Sequence, residues 1–264
     1  MPLGYSHDGK AGVPGAERDL TSSLSSIDAI IPDDLATPRH AWLKRGLATF
    51  GTRAGRWAHH VQAALNYVLL GAWIREHGFG GGVRVRDRRA LYRYIASVVA
   101  EREPLLYLEF GVYRGASIQA WSRLLTNPGS RFIGFDSFEG MPEDFDARTG
   151  VVKGGLNVQG RLPAITDSRV TFVKGWFSDT LSRFVIPPHD HLVVHVDCDL
   201  YSATASVLEF VAPSVRPGTI FLFDDMGQPQ HEPRAFAEYL RTSGRRFRLV
   251  ANDWEDHYAF ECEA

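Results

Sequence analysis

From residue 104 onward the chain alternates short apolar runs with stretches of helical period. Residues 105–110, 131–136, 170–174, 192–197 and 219–223 are too short for buried helices and read as strands. Residues 116–125, 178–184, 202–211 and 233–242 read as the helices between them. Apolar strands separated by helices predict a mostly parallel sheet covered on both faces. Residues 247–250 and 257–262 form two more runs that can pair across residues 252–256. The expectation is a Rossmann-like α/β domain over residues 104–264, with a seven-stranded sheet ending in an antiparallel hairpin.

Residues 36–103 carry a different rhythm. Trp57, Val61, Ala64, Leu65, Val68, Leu69, Ala72 and Trp73 recur at three- and four-residue steps, an apolar stripe. Tyr67, Leu70 and Ile74 widen it, which predicts a helix packed on two sides, as a subunit contact in a homo-oligomer or as a cover over a site. A second helix is expected from an Asp87 N-cap to Arg102, burying Leu91, Ile95, Val98 and Val99. Residues 1–35 are rich in Gly, Pro, Ser and Asp and read as a flexible arm. The connection over residues 136–170 is long for an α/β fold and contains Gly150, Gly154, Gly155 and Gly160, so it reads as a mobile lid.

Composition removes several function classes. A net charge of −2 over 264 residues gives no electrostatic footprint for nucleic acid. The longest apolar stretch, residues 63–74, is too short to span a bilayer, so no membrane partner is expected. No secretory h-region is visible, and two cysteines, Cys198 and Cys262, fit a reducing cytoplasmic setting.

The candidate chemistry sits at strand ends. The first strand delivers Glu109, and Gly111 and Gly115 then frame a tight turn into a helix. The next strand ends in Asp136, 25 positions after Gly111 (136 − 111), where an acid can bind both hydroxyls of a ribose. The turn lacks the middle glycine of a dinucleotide fingerprint. That favours adenosine carrying a methionine sulfonium over NAD.

Two later strands also end in acids: Asp197 and Asp199, then Asp224 and Asp225. In extended backbone, positions 197 and 199 face the same way. Such a cluster, with no Lys or Arg expected beside it, calls for a hard cation, and an all-oxygen set suits Mg2+ or Mn2+. Any one of these acids could instead cap a helix; Asp199 could cap the helix near Ser202. His195, inside a strand, reads as a satisfied core residue, and His231 as a loop residue that could meet substrate.

Five runs in order, YLEFGVYRGAS (107–117), GFDSFEGMP (134–142), KGWFSDTL (174–181), VDCDLY (196–201) and FDD (223–225), resemble the macrocin O-methyltransferase family. That family includes mycinamicin and novobiocin sugar O-methyltransferases, and the resemblance covers residues 86–264. It implies a class I fold binding S-adenosylmethionine. Glu109, Gly111, Val112, Tyr113, Arg114, Gly115 and Ser117 would lie at the methionine part, Asp136, Ser137 and Phe138 at the ribose, and Gly175 and Trp176 at the adenine. Asp197, Asp224 and Asp225 would ligate Mg2+ (or Mn2+), and Asp199 would be the base. Some relatives place a lid histidine here, but this chain has none between Pro142 and Pro188. The implied activity is metal-dependent O-methylation of a small-molecule hydroxyl, on a sugar. A catechol or phenol acceptor, a non-catalytic cofactor-binding protein and a nicotinamide dehydrogenase are the alternatives.

Overall fold

A computed structural model describes residues 41–54, 56–144 and 152–264. The arm expected over residues 1–35, and Gly150 in the expected lid, lie outside the described residues. The chain divides into a unit over residues 1–58 and a larger one over residues 59–264. The smaller unit contains helix α1 (Ala41–Ala54), which exposes Trp42, Leu43, Leu47 and Phe50. Helix α2 (Arg56–Glu76) enters the larger unit at His59.

The larger unit is built on one sheet. Its strands are β1 (Val83–Arg84), β2 (Leu106–Phe110), β3 (Arg131–Asp136), β4 (Val170–Lys174), β5 (Leu192–Val196), β6 (Ile220–Phe223), β7 (Phe247–Asn252) and β8 (Tyr258–Cys262). They lie in the order β1-β7-β8-β6-β5-β2-β3-β4. β8 runs antiparallel to both β6 and β7, and every other pairing is parallel. The seven expected strands are therefore present, with the terminal hairpin, and the eighth is the two-residue β1. It escaped sequence reading because two residues carry no period, and only the open edge of β7 makes them a strand.

Side-chain alternation sends successive residues to opposite faces. Leu106, Leu108 and Phe110 join one core with the C-terminal part of α2, α6 (Tyr201–Val211) and α7 (Glu232–Ser243). Tyr107 joins the other core with α3 (Arg88–Val99) and α4 (Ala116–Leu124). A short helix, α5 (Phe177–Thr180), follows β4. α3 begins as expected: the Asp87 carboxylate accepts from the Ala90 N–H at 2.9 Å. It buries Leu91, Tyr92, Ile95, Ala96 and Val99, whereas Val98 is only half-buried.

α2 corrects the expected stripe. Leu70 and Ile74 face the core, and Trp73 packs within 6.4 Å of Phe79, Phe236 and Phe260. Val61, Leu65, Val68 and Leu69, half of the predicted stripe, point outward. The packing is carried by Leu70 and Ile74, two of the residues flanking the stripe, together with Trp73 from the stripe itself, while Tyr67 is exposed. Among the described residues, no helix is long and apolar enough to cross a membrane.

Candidate active site

The C-terminal ends of β2, β3, β4 and β5 open onto a cavity of about 610 Å3. Of the residues expected around a cofactor, Gly111, Tyr113, Asp136, Ser137, Gly175 and Trp176 line it. Glu109, Val112, Arg114, Gly115, Ser117 and Phe138 do not. Glu109 is fully buried beneath the turn, accepting from Ser117 Oγ at 2.6 Å and from the Tyr107 hydroxyl at 2.7 Å. Arg114 is exposed, its guanidinium 5.0 Å over the Tyr113 ring.

The turn is fixed by packing before any ligand arrives. Gly111 has φ +91°, and a Cβ there would lie 1.7 Å from the Asp197 carbonyl oxygen. Glycine is required there because the exit of β5 presses against it and the backbone takes a positive φ. Gly115, at φ +78°, is similarly covered by Pro163 from the 136–170 connection. Asp136 holds the same turn: its Oδ2 accepts from the N–H groups of Val112 at 2.8 Å and Tyr113 at 2.7 Å. Its Oδ1 accepts from Phe138 at 2.6 Å.

The described part of the 136–170 connection has no regular element, yet it is tied down. The Met141 N–H donates to the Gly155 carbonyl and the Gly154 N–H to the Met141 carbonyl, each at 2.9 Å, and Gly160 donates to the Phe138 carbonyl at 2.7 Å. Its Gly140, Met141, Pro142 and Leu156 line the cavity. Gly154 and Gly160 serve turns with positive φ, so glycine content there marks shape and not only mobility.

Asp197 and Asp199 line the cavity, and Asp224 is buried behind them. The argument from extended alternation fails in detail, because β5 ends at Val196 and Asp199 adopts φ +59°. Asp199 does not cap a helix either: Leu200 occupies the N-cap position of α6, with no side-chain bond. The Asp199 carboxyl instead bonds to that of Asp225. Burial raises the proton affinity of both, with Asp224 and Asp136 adding to it for Asp199, and Glu232 for Asp225.

The structure also corrects the expectation that no basic residue faces the acids. Arg88, the first residue of α3, places Nη2 2.9 Å from Asp197 Oδ2 and 2.5 Å from Asp224 Oδ2. Its Nε donates to the Tyr92 hydroxyl at 2.9 Å. His195 is buried and satisfied, as expected, but its partners matter. Nδ1 meets Tyr107 at 2.7 Å and Glu109 at 3.4 Å, while Nε2 meets Asp224 at 3.2 Å. Burial alone would lower its pKa, but the bonds to Asp224 and Glu109 push it up to about 10. Burial likewise opposes ionisation of Asp224, yet His195 and Arg88 hold it below the usual carboxylate range. Asp197 is pushed well above that range by burial and by Asp224.

His231 is not on the cavity wall; its Nδ1 accepts from the Tyr201 N–H at 3.2 Å. Sequence reasoning missed Arg88, Tyr92 and Glu232. Arg88 and Tyr92 stand four apart on one helix face just after the Asp87 cap, a legible spacing. Glu232, fully buried, accepts from the Asp225 N–H at 2.9 Å, and only the fold reveals that.

Residues 108–226 match a family described as a methyltransferase domain. The chain is 34% identical over 149 residues to the 8-demethyl-8-(2,3-dimethoxy-alpha-L-rhamnosyl)-tetracenomycin-C 4'-O-methyltransferase of Streptomyces olivaceus, covering 50% of this chain and 56% of that one. It is 33% identical over 95 residues to the mycinamicin III 3''-O-methyltransferase of Micromonospora griseorubida, covering 36% of each. The matched regions thus span about half or less of these relatives. The solved structure of the O-methyltransferase NovP superposes with a TM-score of 0.52 at 24% identity, over 66% of this chain and 78% of that one. The mycinamicin enzyme is one of those named by the motif resemblance, and the strand order, the strand-end cavity and the matched span agree. Residues 108–226 are thus similar to a methyltransferase domain, and the chain shares the fold of the O-methyltransferase NovP.

Proposed function

We propose that the chain moves the methyl group of S-adenosylmethionine to a hydroxyl of a glycosylated small molecule, with a divalent cation at the strand-end acids. The observation that carries this reading is the shared cavity. The turn at Gly111 and Tyr113, the Asp136 strand end and Trp176 line it together with Asp197 and Asp199. A cofactor methyl and an acceptor hydroxyl can therefore meet in one enclosed volume. By their names the two relatives are a 4'-O-methyltransferase of a rhamnosyl-tetracenomycin and a 3''-O-methyltransferase of mycinamicin III.

The residues present fit a cation. Asp197, Asp224 and His195 bring ligand atoms within 4.8 Å of one another. His195 has both ring nitrogens engaged, which leaves the carboxylates as donors. The Asp199 and Asp225 carboxyls lie close enough to interact, and a cation there would relieve the repulsion of like charges. Asp197 and Asp224 would hold Mg2+ (or Mn2+), with Asp225, whose carboxyl is outside that converging group, as the third expected ligand; the ion when bound supplies acidification and orientation of a hydroxyl.

The chain's own groups do the rest. Asp199, on the cavity wall, accepts the hydroxyl proton. Trp176 and Gly175 border the adenine, Ser137 the ribose, and Met141, Pro142 and Leu156 shield the reacting atoms from water. Two buried free thiols, Cys198 and Cys262, suit the cytoplasm, where thiols persist.

Mass spectrometry of a glycoside panel, with S-adenosylmethionine carrying a deuterated methyl group, tests the reading. One labelled methyl group should appear on a sugar, disappear in excess EDTA and return with Mg2+. Label on catechols alone would move the acceptor to phenols. Full transfer in EDTA would remove the metal and leave the methyltransferase.

A further inference from the structure

The cation already present at the acid pair is an arginine. We propose that Arg88 is a resident counter-cation that a divalent metal must displace from Asp197 and Asp224, so that this side chain sets the metal affinity of the site. The inference rests on the metal reading above and deepens it.

Three observations point the same way. Arg88 Nη2 lies 2.9 Å from Asp197 Oδ2 and 2.5 Å from Asp224 Oδ2, so one nitrogen bridges acids from two adjacent strand ends. These are two of the three carboxylates a metal would use, and Mg2+ takes oxygens at about 2.0–2.1 Å. A divalent ion on the same oxygens would stand against the guanidinium charge, so the two cations exclude each other. Second, the helix does not explain the arginine. Arg88 is the first residue of α3, where the helix dipole disfavours a cation, and the neighbouring acid, the N-cap Asp87, is engaged by the Ala90 N–H and by Arg86. The acid pair is what holds it there. Third, it can leave. The side chain is 39% exposed and lines the cavity, and its Nε bond to Tyr92 provides a pivot.

In the metal-free protein Arg88 therefore keeps two carboxylates together that would otherwise repel. Metal entry exchanges one cation for another instead of filling a bare acidic cage. The exchange lowers metal affinity and keeps the site shaped before loading.

Binding of Mn2+ alone to the full chain, followed by electron paramagnetic resonance, tests this in wild type, Arg88→Met and Arg88→Lys. Arg88→Met keeps the stem but not the charge, and should bind Mn2+ at least about tenfold more tightly. Arg88→Lys, which reaches less far, should tighten it by a smaller factor. Equal or weaker binding in both variants overturns the exchange while leaving the metal reading intact. No saturable binding in any of the three proteins removes both. Should the variants fail to fold, wild type still decides the matter. With 15N-arginine labelling, saturating Mg2+ should shift the Arg88 Nε–H resonance and accelerate its exchange with water. An Arg88 resonance unchanged at Mg2+ saturation contradicts displacement.

Discussion

Asp199 sits in the left-handed region at φ +59°, and two other non-glycine residues that line the cavity, Tyr113 and Leu156, share that conformation. Such backbone strain is held only where surrounding structure enforces it, and it gathers at functional sites. Asp and Asn both tolerate this conformation, so Asp199→Asn preserves the backbone while removing the proton acceptor. If Asp199 is the base, this change should lower kcat by about a hundred- to ten-thousandfold. Calorimetric affinity for S-adenosylhomocysteine should stay nearly unchanged. A kcat close to wild type at saturating Mg2+ would leave Asp199 only as the bonding partner of Asp225. The four acids at residues 197, 199, 224 and 225 were legible in the sequence because they close apolar strands. Arg88 was not, because it lies 109 positions from Asp197 and only the packing of α3 on the sheet brings it there.

At the scale of elements, the turn after β2 and helix α2 show different limits of sequence reading. Gly111 was identified, but its reason lies in β5: the clash with the Asp197 carbonyl is invisible without strand order. Any side chain at 111 therefore disturbs the β2–β5 joint, and its loss of cofactor binding would say little about the ligand. For α2 the apolar period was legible and its orientation was not, since both faces are apolar. Leu70 and Ile74 are core, while Val61, Leu65, Val68 and Leu69 are 52%, 50%, 68% and 53% exposed. We propose that this outer face is a contact between copies of the chain. Val68→Glu with Leu69→Lys should leave the fold intact, by circular dichroism, and shift sedimentation toward the monomer. Unchanged sedimentation would assign the face no role in association. Deletion through His77 is a poorer test because it also strips Leu70, Trp73 and Ile74 from the core.

The whole molecule explains why acids far apart in sequence share one cavity. β5 and β6 pair in parallel with His195 beside Leu222 and Val196 beside Phe223, so their ends, and the acids that follow, emerge together. β2 and β5 pair with Glu109 beside His195. The Glu109–His195–Asp224 chain of bonds thus runs under the floor of the site, from the cofactor turn to the acid cluster. Alternation of strands and helices was enough to predict this layering, including the terminal hairpin. What it did not carry was the two-residue β1, and the packing of α3 in the core on one face of the sheet and of the inner face of α2 in the core on the other.

The central claim is that the strand-end cavity is built for an adenosine with an amino-acid tail. Calorimetric titration of S-adenosylhomocysteine and of NAD into wild type and Trp176→Ala tests it most directly. Trp176 lines the cavity and opens α5 from its N-cap position without a side-chain cap bond, so its truncation should leave the fold standing. Base–aromatic stacking is worth about 1–3 kcal/mol, so the variant should lose roughly five- to 150-fold in S-adenosylhomocysteine affinity. Wild type should bind S-adenosylhomocysteine and show no heat with NAD. Tight NAD binding, or S-adenosylhomocysteine affinity indifferent to Trp176, would contradict the assignment.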